Sequence, residues 1–371
     1  MIGAIVNPLI GVIIALLPLY TKLASEDVSR ISKDNLLLIL MGLICYLLPN
    51  KKRDAPKLIK LGLIYGLICL TVNQITPISI IVIMQMIYVS FGMIFFVMFY
   101  ERHDQKDINT ILNGMSIGCL VQCLFLISSY FDFNFYFWII KQFNSGIIWE
   151  HLDSDRNGTL GNSNLFASYV SLTFFSLFRG KWKYLIPIPL FSLFLAGSAM
   201  GYITLIAGTL YFVNLKFNLI KKYIVYLSSL SLMAAAFFHG VWGMDTKRFE
   251  IWKVIFNRVD LGHFLVGKGP GWLALQGIKN SSNFILLQEH NEFIAAFNIF
   301  GTVGILFLIP WFIKFLKSKD INPIFSSIVF ASFINAYGHF NLHQSTTAII
   351  ILVSAAICLA EGEKNVLNLE R

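Results

Sequence analysis

The side chains best suited to chemistry lie in two polar stretches between long apolar runs. The first reads Arg156, Asn157, Gly158, Thr159, Leu160, Gly161, Asn162, Ser163 and Asn164, and enters an apolar run at Leu165. Arg156, just before a helix start, adds a positive charge that suits an anion. Asn162 or Asn164 is placed to cap the helix that begins there. A capped helix start offers free N–H groups and the positive end of the dipole to an anion. The plainer alternative is an ordinary capped helix with one interfacial arginine.

The second stretch carries Arg248, Glu250 and Trp252, then Gly267-Lys268-Gly269-Pro270-Gly271-Trp272, and closes on Glu289-His290-Asn291-Glu292. The glycine cluster lacks the P-loop spacing. It makes a tight turn, and the backbone at Gly269 and Gly271 is open to close approach by a ligand. His290 stands with Glu289, Asn291 and Glu292 at the mouth of an apolar helix, where four polar groups are costly unless something pairs or uses them. His339 and His343 are spaced one helical turn apart, but two histidines without a third ligand do not make a metal site. No metal and no cofactor are expected.

The elements that must position these groups are apolar. The chain has 371 residues and a net charge of +9, with 56% hydrophobic and 13% charged residues. Soluble domains carry about 25% charged and 45–50% apolar residues. That difference excludes a soluble globular enzyme and a disordered chain, and leaves no reason to expect a nucleic-acid partner. A β-barrel would alternate apolar and polar residues, and this chain does not. The expectation is an all-α polytopic membrane protein, a single integral membrane domain over 1–371, with about twelve transmembrane helices. These fall near 2–21, 35–49, 58–74, 77–100, 109–130, 161–178, 184–198, 199–214, 223–240, 290–312, 321–341 and 344–360. Gly197 and Gly201 mark a turn within 184–214, where one long helix is the alternative. The first segment lacks a basic n-region and reads as a retained helix. Cys119 and Cys123, one turn apart in an apolar run, read as buried thiols.

Lysine and arginine set the orientation. With the N-terminus inside, basic residues such as Lys51, Lys52, Arg53, Arg179, Lys181, Lys183, Lys221, Lys222, Lys314 and Lys317 fall in short cytoplasmic connections. The tail from Glu361 to Arg371 also falls inside. Two longer loops lie outside: a first outer loop, 131–160, and a large one, 241–289, between the ninth and tenth helices. Both carry basic residues that topology does not explain, and an external basic surface attracts phosphates or lipid head groups. The first opens on an aromatic group, Tyr130 to Trp138, which anchors at the interface or lines a slot for a lipid tail or a sugar face. In the second, Phe249, Trp252, Ile255, Phe256 and Val259 share one face at helical spacing, which predicts an amphipathic helix capped by Asp245 or Thr246.

Three of these motifs occur in a familiar order. Arg156 to Ala167 resembles the arginine-containing entry motif of the O-antigen ligase and O-antigen polymerase superfamily. Arg248 with Trp252 and the Gly267–Gly271 turn resembles the second arginine motif of that family's large periplasmic loop. His290 and Gly301 are similar to its His-x10-Gly motif. The resemblance covers about 150–312. It departs where some members carry Ser-Arg, since this chain has Ser198-Ala199.

The resemblance implies a membrane glycosyltransferase C-type fold in a bacterial inner membrane, with both termini cytoplasmic and the active site on the periplasmic face. It implies a glycan donor on undecaprenyl diphosphate, and lipid A-core, a glycan or a protein hydroxyl as acceptor, with inversion at the anomeric carbon and no metal. His290, Arg248 and Arg156 are then the catalytic candidates. Asn162, Asn164, Trp252, Gly269, Gly271, Asn291 and Glu292 are the substrate-binding candidates. Ligase and polymerase share the motifs. A flippase or transporter is the alternative of another class, although it favours charges at mid-membrane and an internal repeat, which are scarce here. A membrane scaffold or sensor would leave Arg156, Arg248 and His290 apart.

Overall fold

A computed structural model of the chain describes residues 10–16, 40–44, 46, 54–72, 80–103, 105–131, 163–216, 252–269, 272, 292–317, 322–336 and 345–369. Among the described residues all regular structure is helical, and no strand occurs. Ten α-helices follow in order: α1 Lys57–Val72, α2 Ile80–Arg102, α3 Gln105–Tyr130, α4 Ser163–Thr173, α5 Pro187–Ala196, α6 Ala199–Lys216, α7 Leu261–Val266, α8 Glu292–Lys317, α9 Pro323–Asn335 and α10 Ser345–Leu369. Further helical residues lie at 10–16, 40–44 and 252–256. The expected helix at 223–240 lies outside the described residues.

One helix among these, Asp107–Tyr130 within α3, is long and apolar enough to cross a membrane. Shorter apolar helices include Pro187–Ala196, Phe293–Phe307, Pro323–Asn335 and Thr347–Glu361. Helix α3 packs on α4 and α5, while α4, α9 and α6 form a second tightly packed group, and α10 lies against α2 and α9. One core joins them: Phe95, Phe99 and Tyr100 of α2, Ile111 and Met115 of α3, Phe166 and Tyr169 of α4, Phe325 and Ile328 of α9, and Ile349 and Val353 of α10. Cys119 and Cys123 are both buried in it as free thiols.

Close helix contact depends on missing side chains. A Cβ on Gly114 would meet the Gly11 backbone, and one on Gly201 would meet Ala167. Such backbone proximity adds dispersion contact that a larger residue would block.

Several boundaries differ from the apolar pattern for local reasons. The expected helix over 161–178 ends at Thr173 and continues as a 3-10 turn, Phe174–Leu177. Thr173 Oγ1 donates to the Tyr169 carbonyl at 2.8 Å and Ser176 Oγ to the Thr173 carbonyl at 2.7 Å. Such back-bonds compete with the α-helical ladder. The tighter turn also aims Phe178 at Phe212, with ring centroids 4.7 Å apart. A second 3-10 turn, Gly180–Leu185, leads to Pro187 at the start of α5. Gly197 then closes α5 in the left-handed region, at φ 64°, where glycine meets no Cβ penalty. The segment 184–214 is therefore two helices, divided where its glycines suggested.

Candidate functional site at the break in helix α8

Helix α8 carries the end of the His-x10-Gly motif, and it is broken. Gly301 sits inside it at φ 63° and ψ −171°, a non-helical conformation. The break leaves carbonyls without their usual helical partners, and other elements supply donors. The Lys268 N–H donates to the Asn298 carbonyl at 2.7 Å. The Tyr65 hydroxyl of α1 donates to the Phe300 carbonyl at 2.9 Å.

What fills the break is the segment 260–269. Asp260 caps α7, its Oδ1 accepting from the His263 N–H at 2.6 Å. The Thr302 hydroxyl donates to the Phe264 carbonyl at 2.7 Å. Gly267, at φ 77°, closes α7, and a Cβ there would collide with the Ile299 carbonyl. A Cβ on Gly301 would collide in turn with the Leu265 carbonyl. The glycine turn does bring backbone into close approach, and at Gly267 the partner is α8 rather than an external ligand. Gly269 is buried, at φ 80°. Gly271 lies outside the described residues.

His263 pins this contact. It is fully buried, and its Nε2 lies 3.1 Å from Asn298 Oδ1. Its ring meets Trp272 edge-on, with centroids 4.4 Å apart, and stacks on Phe297 at 5.6 Å. Its Nδ1 has no hydrogen-bond partner among the described residues. Burial holds the imidazole below its ordinary value, against the Asn298 bond and the Asp260 charge, which push it up. Lys268 Nζ meets Asp260 Oδ2 at 2.8 Å and holds that carboxylate below the usual range.

The amphipathic segment before this strap also reaches α8. Ile255 is buried against Ile294, with Trp252, Val254 and Trp272 packed around the pair. Phe256 is 55% exposed, with its ring 6.2 Å from Phe297. The described helix ends at Phe256, short of Val259.

Asn164 lies inside the first turn of α4 rather than at its cap, because the helix starts at Ser163. Its Oδ1 accepts from Ser198 Oγ at 2.7 Å, and that hydroxyl also faces the Gly201 N–H at 3.4 Å. Ser198 lies in the α5–α6 turn, so the α4 entry is tied to that turn. Behind it, Asn335 of α9 joins two other helices. Its Oδ1 accepts from Ser168 at 3.2 Å and its Nδ2 donates to Thr204 at 2.8 Å.

Arg156, Asn162, Arg248, His290 and Asn291 lie outside the described residues, as do Glu250, His339 and His343. Glu292 begins α8, and its side chain is likewise outside them. The described residues place Trp252 against the start of α8 and leave Asn164 in a separate contact with Ser198. Sequence reading passed over His263 and Asn298. The available signals were the Asp260-x-x-His263 cap spacing and an amide, Asn298, inside an apolar run. No protein-family model matches the chain, and no curated protein matches it in sequence.

Proposed function

We propose that the chain is an integral membrane glycan transferase. In this reading it moves a glycan from an undecaprenyl-diphosphate carrier to an acceptor hydroxyl on the periplasmic face of a bacterial inner membrane. About twelve membrane helices, a glycosyltransferase C-type arrangement and the O-antigen ligase or polymerase class complete the reading.

One observation carries it: the packing of Ile255 on Ile294. Ile255 follows Arg248 closely in sequence, and Ile294 follows His290. Their contact seats the segment from Trp252 to Phe256 on the first turns of α8, the two stretches that follow those motif residues in sequence.

The distribution of polarity supports the membrane setting. Hydroxyls and amides such as Ser116, Ser176, Ser168 and Asn335 are buried and paired inside the helix group. Large apolar side chains face outward, among them Leu61, Leu124, Phe194 and Leu306. Water would oppose that arrangement, and hydrocarbon would favour it.

The chemistry balances without a cofactor. The acceptor oxygen forms the new bond to the anomeric carbon while the bond from that carbon to the carrier phosphate breaks. The lipid diphosphate leaves with the electron pair, and Arg248 and Arg156 stabilise its charge. The acceptor proton passes to His290 as general base, or His290 orients the hydroxyl while Glu292 or Glu250 takes the proton.

The test is transfer in vitro with purified protein, a lipid-diphosphate-linked glycan and EDTA. Lipid A-core and a second donor molecule serve as separate acceptors. Transfer to core that is lost in Arg248→Ala and His290→Ala supports a ligase, and elongation of the donor supports a polymerase. Donor binding with no transfer to either acceptor would favour a flippase or a scaffold.

A further inference from the structure

Helix α7 presents two unlike faces. One holds His263 and lies against α8. The other exposes Leu261 (75%), Phe264 (48%), Leu265 (44%) and Val266 (41%). Four large apolar side chains exposed within one short helix are costly in water.

The position of α7 along α8 decides what covers them. The strap contacts α8 at Asn298, Ile299, Gly301 and Thr302. With a rise of about 1.5 Å per residue, Asn298 lies roughly 9 Å along the axis from the start of α8 at Glu292. Further along, α8 also exposes apolar side chains, Leu306 and Ile309.

We propose that 260–269 is a re-entrant segment, and that its exposed apolar face is seated among the acyl chains of outer-leaflet phospholipids. This rests on the membrane reading of α8 given above. Non-helical backbone at membrane depth is tolerated only when its polar groups are satisfied within the protein. Here the Lys268 N–H, the Gly267 N–H, the Phe264 carbonyl and the His263 N–H all have protein partners. The segment's two charges, Asp260 and Lys268, are paired with each other, as charges near hydrocarbon generally are. The buried face carries His263, its Nε2 bonded to Asn298. A loop lying in water has no need of this combination.

The experiment places single cysteines at Phe264 and, separately, at the more exposed Leu261, each labelled with an environment-sensitive fluorophore. The full-length protein is reconstituted in phosphatidylcholine vesicles. Doxyl-labelled phospholipid and aqueous iodide serve as competing quenchers. Leu306→Cys reports the lipid-facing side of α8, Lys253→Cys reports water, and unsubstituted protein gives the labelling background of the native thiols.

The expected result is quenching at 264 and 261 by doxyl lipid and not by iodide, matching 306 and opposite to 253. Iodide quenching at 264 and 261 with doxyl quenching retained at 306 overturns the re-entrant segment and leaves the membrane reading standing. Iodide quenching at 306 as well overturns both.

Discussion

His263 Nε2 and Asn298 Oδ1, 3.1 Å apart in a buried contact, tie the large loop to the helix that His290 introduces. Asn298 is used twice, since its carbonyl also accepts from the Lys268 N–H. Removing the amide leaves a buried imidazole with neither nitrogen paired, at a cost of about 1–3 kcal/mol. Asn298→Ala is expected to lower the unfolding temperature in detergent and to expose 260–269 to hydrogen exchange. Exchange in that segment equal to that of the unsubstituted protein would count against the pin.

The same histidine gives a pH dependence with a definite sign. Burial holds its value below the ordinary 6.5, so the unfolded chain takes up the proton first as pH falls. The stability it contributes is fully present above about 6.5 and is lost below that, toward the folded value. Lys268 reinforces the depression, and Asp260 opposes it. His263→Gln keeps a donor for Asn298 and removes the titration. Its stability is expected to change less across that window, measured as unfolding temperature against pH in detergent. Parallel curves for the two proteins would count against this assignment.

Gly301 needs its lack of a side chain for two reasons: its φ of 63° and the Leu265 carbonyl that a Cβ would strike. A strained backbone of this kind costs about 1–3 kcal/mol for other residues. Gly301→Ala is therefore expected to destabilise the protein by at least that much, or to displace the strap. Gly42→Ala, where no atom of the described residues lies within reach of the new methyl, is the control and should be neutral or mildly stabilising, as alanine favours the helix. Equal unfolding temperatures for the two variants would contradict the packing described for the break.

Much of this was legible in the residues, and the failures have physical causes. Long apolar runs and glycine punctuation placed α1, α3, α5 and α6 to within a few residues, because helix length and turn chemistry are local properties. The 3-10 turn at Phe174–Leu177 was not legible, since it follows from hydroxyl back-bonds and from Phe178 meeting Phe212, a partner distant in sequence. The Gly267–Gly271 stretch was read as a tight turn with backbone open to a ligand, and only the fold reveals that at Gly267 the neighbour is α8. His263 escaped notice for a related reason: a lone histidine acquires meaning only when Asn298 and Trp272 surround it. Asn162 or Asn164 was read as the cap; the helix starts at Ser163, which puts Asn164 inside its first turn against Ser198, while Asn162 lies outside the described residues.

Asn335 joins three helices through one amide, accepting from Ser168 and donating to Thr204. Asn335→Ala orphans both hydroxyls in a buried site and is expected to cost about 1–3 kcal/mol. Asn335→Leu also leaves Ser168 and Thr204 without this partner, so it should not restore stability. Combining it with Ser168→Ala and Thr204→Val should recover much of the loss, because the partners then need no hydrogen bond. Chemical unfolding of the four proteins in detergent measures this, and simple additivity of the losses would contradict a shared network.

The transfer reading makes its sharpest prediction at Arg248. A lysine there keeps a positive charge but lacks the planar fork that grips two phosphate oxygens at once. If the group stabilises a leaving diphosphate, its contribution is larger in the transition state than in the bound donor, so turnover should suffer more than donor affinity. Removing a donor of this kind costs about 10²–10³ in rate. Arg248→Lys is expected to lose transfer on that scale while retaining most of its donor affinity. His290→Ala is expected to lose transfer as well, and to regain part of it at higher pH if His290 serves as the base, because a deprotonated acceptor needs less help. The measurement is single-turnover transfer beside equilibrium binding of the same lipid-linked glycan. An Arg248→Lys protein that binds donor poorly yet turns over normally at saturation would assign the arginine to ground-state binding and remove it from the bond-breaking step.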